Sequence, residues 1–224
     1  MVEPTGEAPW SPRLWWSRVP GGTFGRHVVT LASGTAIGQL LLFIAVPVLT
    51  RLYSPADYGA LGVFSSTLQI LVVLASLRYE QAIALPEEED VARSLLGLTF
   101  LLLTAMTSLV SLLVWLAGDE YVSALNVPAL RPYLWLIPVG FLGAGVYQAV
   151  SFWAIRRREF NRVARTKLSQ GLGQVLAQVG LGFAGLGTGG LLIGDVVGRV
   201  TGGGGLLLLA LRERGRARLS VARL

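Results

Sequence analysis

The sequence predicts an all-α membrane protein built as a bundle of six transmembrane helices, and composition, segment length and charge placement lead to this fold class. Of its 224 residues, 53% are hydrophobic and 14% are charged, whereas a typical soluble domain has about 25% charged residues. The mean hydropathy of +0.60 agrees with a bilayer as the solvent. The basic residues lie between apolar segments rather than on one face, so the net charge of +6 reflects membrane topology and not nucleic-acid binding.

Six apolar segments approach the length that a membrane span requires. A bilayer core about 30 Å thick needs roughly 20 helical residues, and backbone inside it must form helices or a closed barrel. The predicted spans are residues 28–49, 58–85, 94–117, 133–155, 168–186 and 190–211. They form a predicted lobe at 27–211, between a mobile cytoplasmic tail at 1–26 and a basic cytoplasmic tail at 212–224.

Charge placement predicts the orientation of the bundle. If the N-terminus lies in the cytoplasm, fifteen basic residues fall on the inner side and only Arg51 and Arg131 on the outer side. This bias predicts that both termini are cytoplasmic. The most basic inner loop is predicted around IRRREFNRVARTK, residues 155–167. We interpret it as an anchor against anionic lipid, with a phosphate-binding role as the alternative.

The sequence lacks the motifs of common catalytic sites. It contains no cysteine, which excludes a disulfide framework and a thiolate metal site, and it has no P-loop, His–Glu metal motif or Asp-x-Asp pair. GLGTGG at 185–190 has the letters of a dinucleotide fingerprint but lies between two predicted spans, not between a strand and a helix. We therefore expect no enzymatic activity, cofactor, metal or nucleic-acid partner.

Polar residues within the spans are the strongest functional signal. A charge at the membrane centre costs roughly 2.5–3.5 kcal/mol on insertion scales and usually faces a water-filled path. Asp195 and Arg199 are four residues apart in the sixth span and can pair. Six glutamines lie within the predicted spans, namely Gln39, Gln69, Gln148, Gln170, Gln174 and Gln178. The last three share one helix face, where they either bridge helices or line a cavity.

Glycines recur every four residues in the sixth span, at Gly190, Gly194, Gly198 and Gly202. A row of this kind lets another helix backbone approach closely. The row therefore predicts a helix-packing face.

The stretch SLRYEQAIALPEEED at residues 76–90 places Arg78 and Glu80 inside a second span that is longer than a bilayer requires. The extra length implies tilt or projection beyond the lipid. The two charges point to nearly opposite sides of a helix, so at least one of them is expected to face other helices or a cavity. The arrangement fits an entrance for an anionic headgroup near the cytoplasmic side.

Three segments together resemble a known family. They are LASGTAIGQLLLFIAVPVLTRLYSPADYGALGVFSS at 31–66, LRYEQAIALPEEEDVARSLLGL at 77–98 and LIPVGFLGAGVYQAVSFWAIRRREFNRVARTKLSQ at 136–170. They are similar to the amino-terminal half of bacterial polysaccharide-biosynthesis flippases, the O-antigen and capsule translocases of the multidrug/oligosaccharidyl-lipid/polysaccharide exporter superfamily. L-T-R-L-Y-S-P-x-D-Y-G and L-R-Y-E-x-A-I-x-L-P are the most specific pieces.

The resemblance implies a function and residue roles. Such proteins move an undecaprenyl-diphosphate-linked oligosaccharide across the bacterial cytoplasmic membrane by alternating access, without covalent chemistry. Arg51 and Arg78 would attract its phosphates, and Glu80 would serve in gating or coupling; Arg51 has a second interpretation as an outer cap of the first helix. The remaining substrate-binding candidates are Gln39, Gln148, Gln174 and Arg199, and Asp195 is the second gating or coupling candidate. Membrane lipid and a polysaccharide polymerase are further expected partners.

The predicted single lobe departs from the two similar lobes of these flippases. One lobe cannot enclose a cavity, so the chain is expected to be a truncated product, a homodimer or a protein completed by a separate half. Two other functions stay open. One is a cation-coupled drug exporter lobe of the same superfamily, with Asp195 as its acid, and the other is a non-transporting membrane scaffold or remnant.

Overall fold

The computed structural model describes residues 23–76 and 88–202, with side chains described for 34–73 and 88–202. The described residues form six α-helices, which are α1 at Thr23–Leu52, α2 at Pro55–Ser76, α3 at Glu89–Ala124, α4 at Leu136–Arg156, α5 at Phe160–Phe183 and α6 over 188–202. A 3-10 turn at Pro128–Tyr133 joins α3 to α4. The all-α prediction is confirmed for these residues, which contain no strand. Arg78, Glu80, most of the predicted amino-terminal tail and the whole carboxy-terminal tail lie outside them.

Four of the helices are long and apolar enough to cross a membrane. Their apolar stretches are Gly34–Leu52, Pro55–Val73, Glu89–Ala124 and Leu136–Arg156. The first turns of α5 carry Arg162, Arg165 and Lys167, which lower its apolar character. The described part of α6 is shorter than a full span.

Helix α3 begins and ends outside the predicted span at 94–117. It has 36 residues, with Glu89 and Asp90 in its first turn, where negative charge complements the positive end of the helix dipole. Arg93 pairs with Glu89 one turn away, at 2.8 Å. Hydropathy identifies only the part of a helix that is suited to lipid. The predicted span is shorter than α3 because these charged residues extend the helix beyond that part.

The predicted basic loop at 155–167 is wrong, because most of this stretch is helical. Only residues 157–159 separate α4 from α5. Arg158 has a φ of 57°, a left-handed conformation that is uncommon outside glycine and that allows the tight turn. The Glu159 carboxylate accepts hydrogen bonds from Arg162 at 2.7 Å. The basic residues therefore line the start of α5 rather than a long loop.

Helices α2, α3 and α4 pack through large apolar side chains, together with one face of α6. We call this set the apolar core, and its buried members are Phe64, Leu68, Val110, Val122, Leu130, Leu136, Ile137, Phe141, Leu192 and Val196. Phe64 and Leu68 are fully buried. The core joins four helices through side chains that interdigitate.

Helix α1 packs mainly on α5, and small residues bring the two backbones together. A Cβ added at Gly34 would lie 2.7 Å from the Cβ and 2.8 Å from the Cα of Ala164. One added at Gly171 would lie 3.0 Å from the carbonyl oxygen of Gly38. The Gly34-x-x-x-Gly38 spacing on α1 thus forms a close helix contact of the kind common in membranes. Because both contacts advance in the same direction, α1 and α5 run parallel.

The outward faces of α1 and α3 are apolar. Phe43 is 75% exposed and Trp115 is 80% exposed, and Ile44 on α1 and Leu101 and Leu116 on α3 are also exposed. Large exposed apolar side chains in such numbers are unsuited to water. They are suited to lipid, with the backbone groups satisfied inside each helix.

Candidate functional site

The glycine row of α6 and the glutamine row of α5 interlock. At each of three glycines on α6, the space that a Cβ would need is occupied by a glutamine of α5. The pairs are Gly194 with Gln178, Gly198 with Gln174 and Gly202 with Gln170. Residue numbers rise on one helix as they fall on the other, so the two helices are antiparallel. The sequence indicated both rows but not that they face each other.

Gln178 bridges helices at the buried end of this interface. It is 2% exposed, and its Nε2 donates a hydrogen bond to the carbonyl oxygen of Leu191 at 3.2 Å. Gln174 and Gln170 are half-buried beside the glycines. The glutamine row therefore lies between α5 and α6.

Tyr53, which follows α1, is inserted at the end of the same interface. It is 4% exposed, and its hydroxyl donates a hydrogen bond to the carbonyl oxygen of Gln178 at 2.5 Å. Its ring contacts the positions that side chains at Gly182 and Gly190 would occupy. Burial, followed by the Asp57 carboxylate, raises the pKa of Tyr53 above its ordinary value, so the hydroxyl keeps the proton that it donates.

The start of α2 is capped by Ser54 and Asp57. The Asp57 carboxylate accepts hydrogen bonds from the Ser54 backbone N–H at 2.8 Å and from its hydroxyl at 2.7 Å, and the Asp57 N–H donates back to the Ser54 hydroxyl at 3.3 Å. This is a capping box, and its Ser-x-x-Asp spacing could have been recognised in the sequence. The Thr188 hydroxyl at the start of α6 also donates to Asp57. The Y-S-P-x-D part of the motif thus joins α1, α2, α5 and α6 at one corner.

Asp195 and Arg199 form an ion pair within α6. Arg199 Nε lies 2.7 Å from Asp195 Oδ2, and the side chains are 11% exposed for Asp195 and 23% exposed for Arg199. Asp195 and Arg199 follow Leu191 at intervals of four residues on the same face of α6. Leu191 is buried against Ala45, Leu49 and Tyr53. The pairing predicted from their spacing is present, and it neutralises both charges inside the bundle.

Comparison with known proteins decides the family. A family model described as polysaccharide biosynthesis protein matches residues 48–224. The chain belongs to this polysaccharide biosynthesis protein family. The match extends over α2 to α6 and the end of α1, and it includes Tyr53, Asp57, Asp195 and Arg199. No curated protein and no solved structure matches the chain.

Family membership confirms the resemblance drawn from the sequence motifs at the level of polysaccharide biosynthesis. It indicates a role in polysaccharide synthesis or export. The four apolar helices make this polysaccharide biosynthesis protein a membrane protein.

The described substrate-binding candidates of this polysaccharide biosynthesis protein do not converge on one pocket. Arg51 is exposed in the last turn of α1, where a cation suits the helix dipole. Gln39 is exposed on the same helix, twelve residues or about 18 Å away. Arg199 is paired on α6, and Gln174 lies against Gly198.

Gln148 lies in a group of buried polar atoms on α4 that the sequence did not reveal. Its Oε1, the Tyr147 hydroxyl and the Ser151 hydroxyl have no hydrogen-bond partner among the described residues. The Lys167 ammonium of α5 lies 4.6 Å from the centroid of the Tyr147 ring. The sequence could not connect Lys167 with Tyr147, because they are twenty residues apart on two helices whose register depends on the tight turn at 157–159.

Charged residues also cluster where α3 begins and α4 ends. Glu89 accepts from both Arg93 and Arg157, at 2.8 and 2.7 Å, and the Arg157 guanidinium lies 5.4 Å from the Trp153 ring centroid. These pairs are largely exposed and add little stability. Within the described residues, no group of three or more His, Cys, Asp or Glu side chains is placed to hold a metal ion.

Proposed function

We propose that this polysaccharide biosynthesis protein translocates a polyprenyl-diphosphate-linked oligosaccharide across the bacterial cytoplasmic membrane, without covalent chemistry. The observation that carries the proposal is the Asp195–Arg199 pair, buried in a bundle with apolar outer faces. Burial removes water from both charged groups of the ion pair. The attraction between them offsets only part of the free energy that this desolvation costs. Charges inside membrane bundles generally serve transport paths.

The chemistry of the pair suits an anionic substrate. A guanidinium binds phosphate oxygens through two parallel hydrogen bonds, and Arg199 offers one when its bond to Asp195 opens. The freed Asp195 carboxylate then needs a proton or another cation. In this scheme, substrate binding and proton binding at one pair are coupled, which is the requirement for transport driven by an ion gradient.

Six spans with both termini in the cytoplasm are part of the proposal. Among the described residues, one end of the bundle carries most of the basic side chains, namely Arg93, Arg156, Arg157, Arg158, Arg162 and Arg165. The other end carries Arg51 and Arg131, and Arg131 donates to Asp119 at 2.7 Å. That hydrogen bond raises the pKa of Arg131 above its ordinary value. This asymmetry supports a cytoplasmic location for the basic end.

A second lobe completes the transporter in this proposal, either as a second copy of the chain or as a separate half. Gln39 on α1 and Gln69 on α2 are both exposed within apolar stretches. Gln39 is fourteen residues before Tyr53 and Gln69 is fourteen residues after Pro55, so both lie about 21 Å from the α1–α2 corner. Two exposed amides at one depth favour a protein partner over lipid at these positions. A polysaccharide polymerase is a further proposed partner.

The drug-exporter alternative has less support. A cationic drug would require a free carboxylate in an apolar pocket, whereas the Asp195 carboxylate is bound to Arg199. A non-transporting scaffold would not need a charged pair at this position. Both alternatives are outcomes of the following test.

The test measures the sidedness of the lipid-linked oligosaccharide in cells that lack the gene. We expect the complete unit to accumulate on the cytoplasmic face and surface polysaccharide to disappear, and the wild-type gene should reverse both effects. Failure to make the unit at all would indicate a synthetic enzyme instead. Normal export of the unit would contradict the proposal and would indicate a scaffold or an exporter of other compounds.

Two matched arginine variants sharpen this test. Arg199→Leu removes the half-buried cation that pairs with the buried Asp195, and we expect it to leave the unit on the cytoplasmic face. Arg131→Leu removes the exposed partner of Asp119 at the opposite end, and we expect it to restore surface polysaccharide. Equal behaviour of the two variants would contradict a role of the buried pair in transport.

A further inference from the structure

Three buried polar atoms on α4 lack any hydrogen-bond partner among the described residues. They are the Tyr147 hydroxyl, the Ser151 hydroxyl and the Gln148 Oε1. Tyr147 and Ser151 are each 8% exposed. Buried polar groups without partners are rare and destabilising, and such a group often marks the place of a ligand or an ordered water.

The three groups face a common side of α4. At 3.6 residues per turn, positions 147, 151 and 148 fall within a sector of about 100° and within about 6 Å along the helix axis. Hydroxyl groups donate and accept hydrogen bonds, whereas the Gln148 Oε1 only accepts. One ligand can therefore contact all three groups if it offers both an acceptor and a donor.

Lys167 adds a positive charge to this group. Its ammonium lies 4.6 Å from the Tyr147 ring centroid, and among the described residues it has no ion pair or hydrogen bond. The residue is half-buried, and Gly38 of α1 packs against its backbone carbonyl. It is also the only lysine in the sequence, beside eighteen arginines. An ammonium is a compact charge that binds phosphate without the fixed fork of a guanidinium.

The group lies inside the basic end of the bundle rather than at its tip. Lys167 is seven residues from the start of α5, and Tyr147 is nine residues from the end of α4. These separations place the group about 10–13 Å inside the basic end of the bundle. Lys167 contacts an aromatic ring at this depth, whereas a snorkelling lysine would extend to the headgroup region.

We propose that Lys167, Tyr147, Ser151 and Gln148 bind a phosphoryl group that carries a hydroxylated substituent. The ammonium and two hydroxyls donate to phosphoryl oxygens, and the Gln148 Oε1 accepts from the substituent hydroxyl. Two lipids have this chemistry, a polyprenyl-diphosphate sugar and phosphatidylglycerol. Assignment of the site to the first lipid rests on the proposed function, whereas phosphoryl binding itself does not.

The single lysine makes the test direct. An amine-acylating reagent modifies Lys167 and the N-terminal amine of the purified full-length protein in phosphatidylcholine nanodiscs, and mass spectrometry measures both rates. The probes are inorganic phosphate, phosphatidylglycerol, polyprenyl phosphate and a polyprenyl diphosphate that carries one hexose. We expect at least one lipid probe with a hydroxylated substituent to slow acylation of Lys167 at least fivefold, with the N-terminal rate unchanged.

Variants that remove single oxygen atoms test the other groups. Tyr147→Phe and Ser151→Ala retain most of the side-chain volume, and we expect each to require roughly tenfold more probe for the same protection. Tyr58→Phe is the matched control, because the Tyr58 hydroxyl is also buried without a partner but lies at the opposite end of the bundle, in the first turn of α2. We expect it to leave protection unchanged.

The outcomes separate the site from the transport function. Protection by the polyprenyl-diphosphate hexose alone assigns the site to the substrate, and protection by phosphatidylglycerol alone assigns it to a bound lipid. Lys167 acylation that no probe slows, or equal effects of Tyr147→Phe and Tyr58→Phe, would overturn the site. A probe could also slow Lys167 acylation although deletion of the gene leaves export of the lipid-linked oligosaccharide intact. That result would support the binding site and contradict the proposed function.

Discussion

The interface among α1, α5 and α6 differs from the apolar core of α2, α3 and α4 in what fills it. Glycine backbones meet other backbones, glutamine stems and Tyr53 in the first region. Large apolar side chains such as Phe64, Leu68 and Phe141 fill the second. A polar contact beside the apolar core, between the Thr67 and Tyr121 hydroxyls, is only part-buried, whereas Gln178, Asp195 and the Tyr53 hydroxyl are buried in the first region. The chain thus separates a mainly structural region from one that holds charge, although α6 belongs to both.

The difference teaches how a membrane protein can bury polar groups at close quarters. Helices in lipid gain little from the hydrophobic effect and associate through close packing and hydrogen bonds. The glycine row permits the close approach that brings Gln178 within reach of Leu191 and Tyr53. The four variants below test the comparison, from the largest expected effect to the smallest.

Removal of one charge from the buried pair has the largest expected effect. Arg199→Leu leaves the Asp195 carboxylate buried without its partner, and we expect a loss of about 3–5 kcal/mol in the free energy of unfolding. Titration with sodium dodecyl sulfate in mixed micelles measures this loss. Arg131→Leu breaks an exposed pair and should change the free energy of unfolding little. Similar losses in both variants would contradict the burial of the α6 pair.

A methyl group at the α1–α5 contact should have the next largest effect. Gly34→Ala places a Cβ 2.7–2.9 Å from atoms of Ala164, two of which belong to its backbone, so the helices must separate at a cost of about 2–3 kcal/mol. The same titration measures the result. Gly62→Ala on α2 meets no atom within 4 Å, and this control should gain up to about 1 kcal/mol from helix propensity. Unchanged stability of Gly34→Ala would show that the contact is loose.

A cavity in the apolar core should cost less than it would in a soluble protein. Phe64→Ala removes a fully buried ring, but the unfolded helices remain in lipid, so packing is lost without transfer to water. We expect a loss of about 1–3 kcal/mol, below the 3–5 kcal/mol usual for soluble cores. Trp115→Ala is the control, since Trp115 is 80% exposed, and it should change stability little. If Phe64→Ala lost more stability than Arg199→Leu, the expected order of the four variants would be contradicted.

Loss of the Tyr53 hydroxyl should have the smallest effect of the four. Tyr53→Phe keeps the ring between Gly182 and Gly190 but removes the tyrosine hydrogen bond to the Gln178 carbonyl, at a cost of about 1 kcal/mol. Hydrogen exchange of backbone amides at the start of α6 provides the second readout, because Tyr53 ties α1 to that end. Tyr58→Phe, which removes a hydroxyl without a partner, should preserve or raise stability. A greater loss for Tyr58→Phe would contradict this assignment.

The sequence predicted where helices occur more accurately than where they end. Within residues 23–76 and 88–202, each apolar segment overlaps one α-helix, because a long apolar run favours a membrane helix. The starts of α3 and α5 were missed, since charged residues such as Glu89 and Arg162 continue a helix outside lipid without an apolar signal. The motif around Arg51 indicated the family, and the sequence left the role of Arg51 open between phosphate attraction and an outer cap of the first helix. The structure adds a corner formed by Tyr53 and Asp57.

Relations between helices were less predictable than patterns within one helix. The Asp195–Arg199 pair depends on spacing of four residues along one helix, and it is present as expected. The match of Gly198 with Gln174, and of Lys167 with Tyr147, depends on the register between neighbouring helices. That register is determined by the tight turns at 157–159 and 184–187, which hydropathy does not reveal.

The most direct test of the transport claim separates the fold of α6 from its charge. The double variant Asp195→Leu/Arg199→Leu removes both charges, and apolar replacement of a buried pair is often neutral or stabilising. It should therefore recover most of the stability that Arg199→Leu loses. The measurement is the ratio of inward-facing to outward-facing lipid-linked oligosaccharide in cells with the wild-type or the double variant. We predict that the stable double variant retains the unit on the cytoplasmic face; export at the wild-type level would show that the pair has no part in transport and would contradict the account.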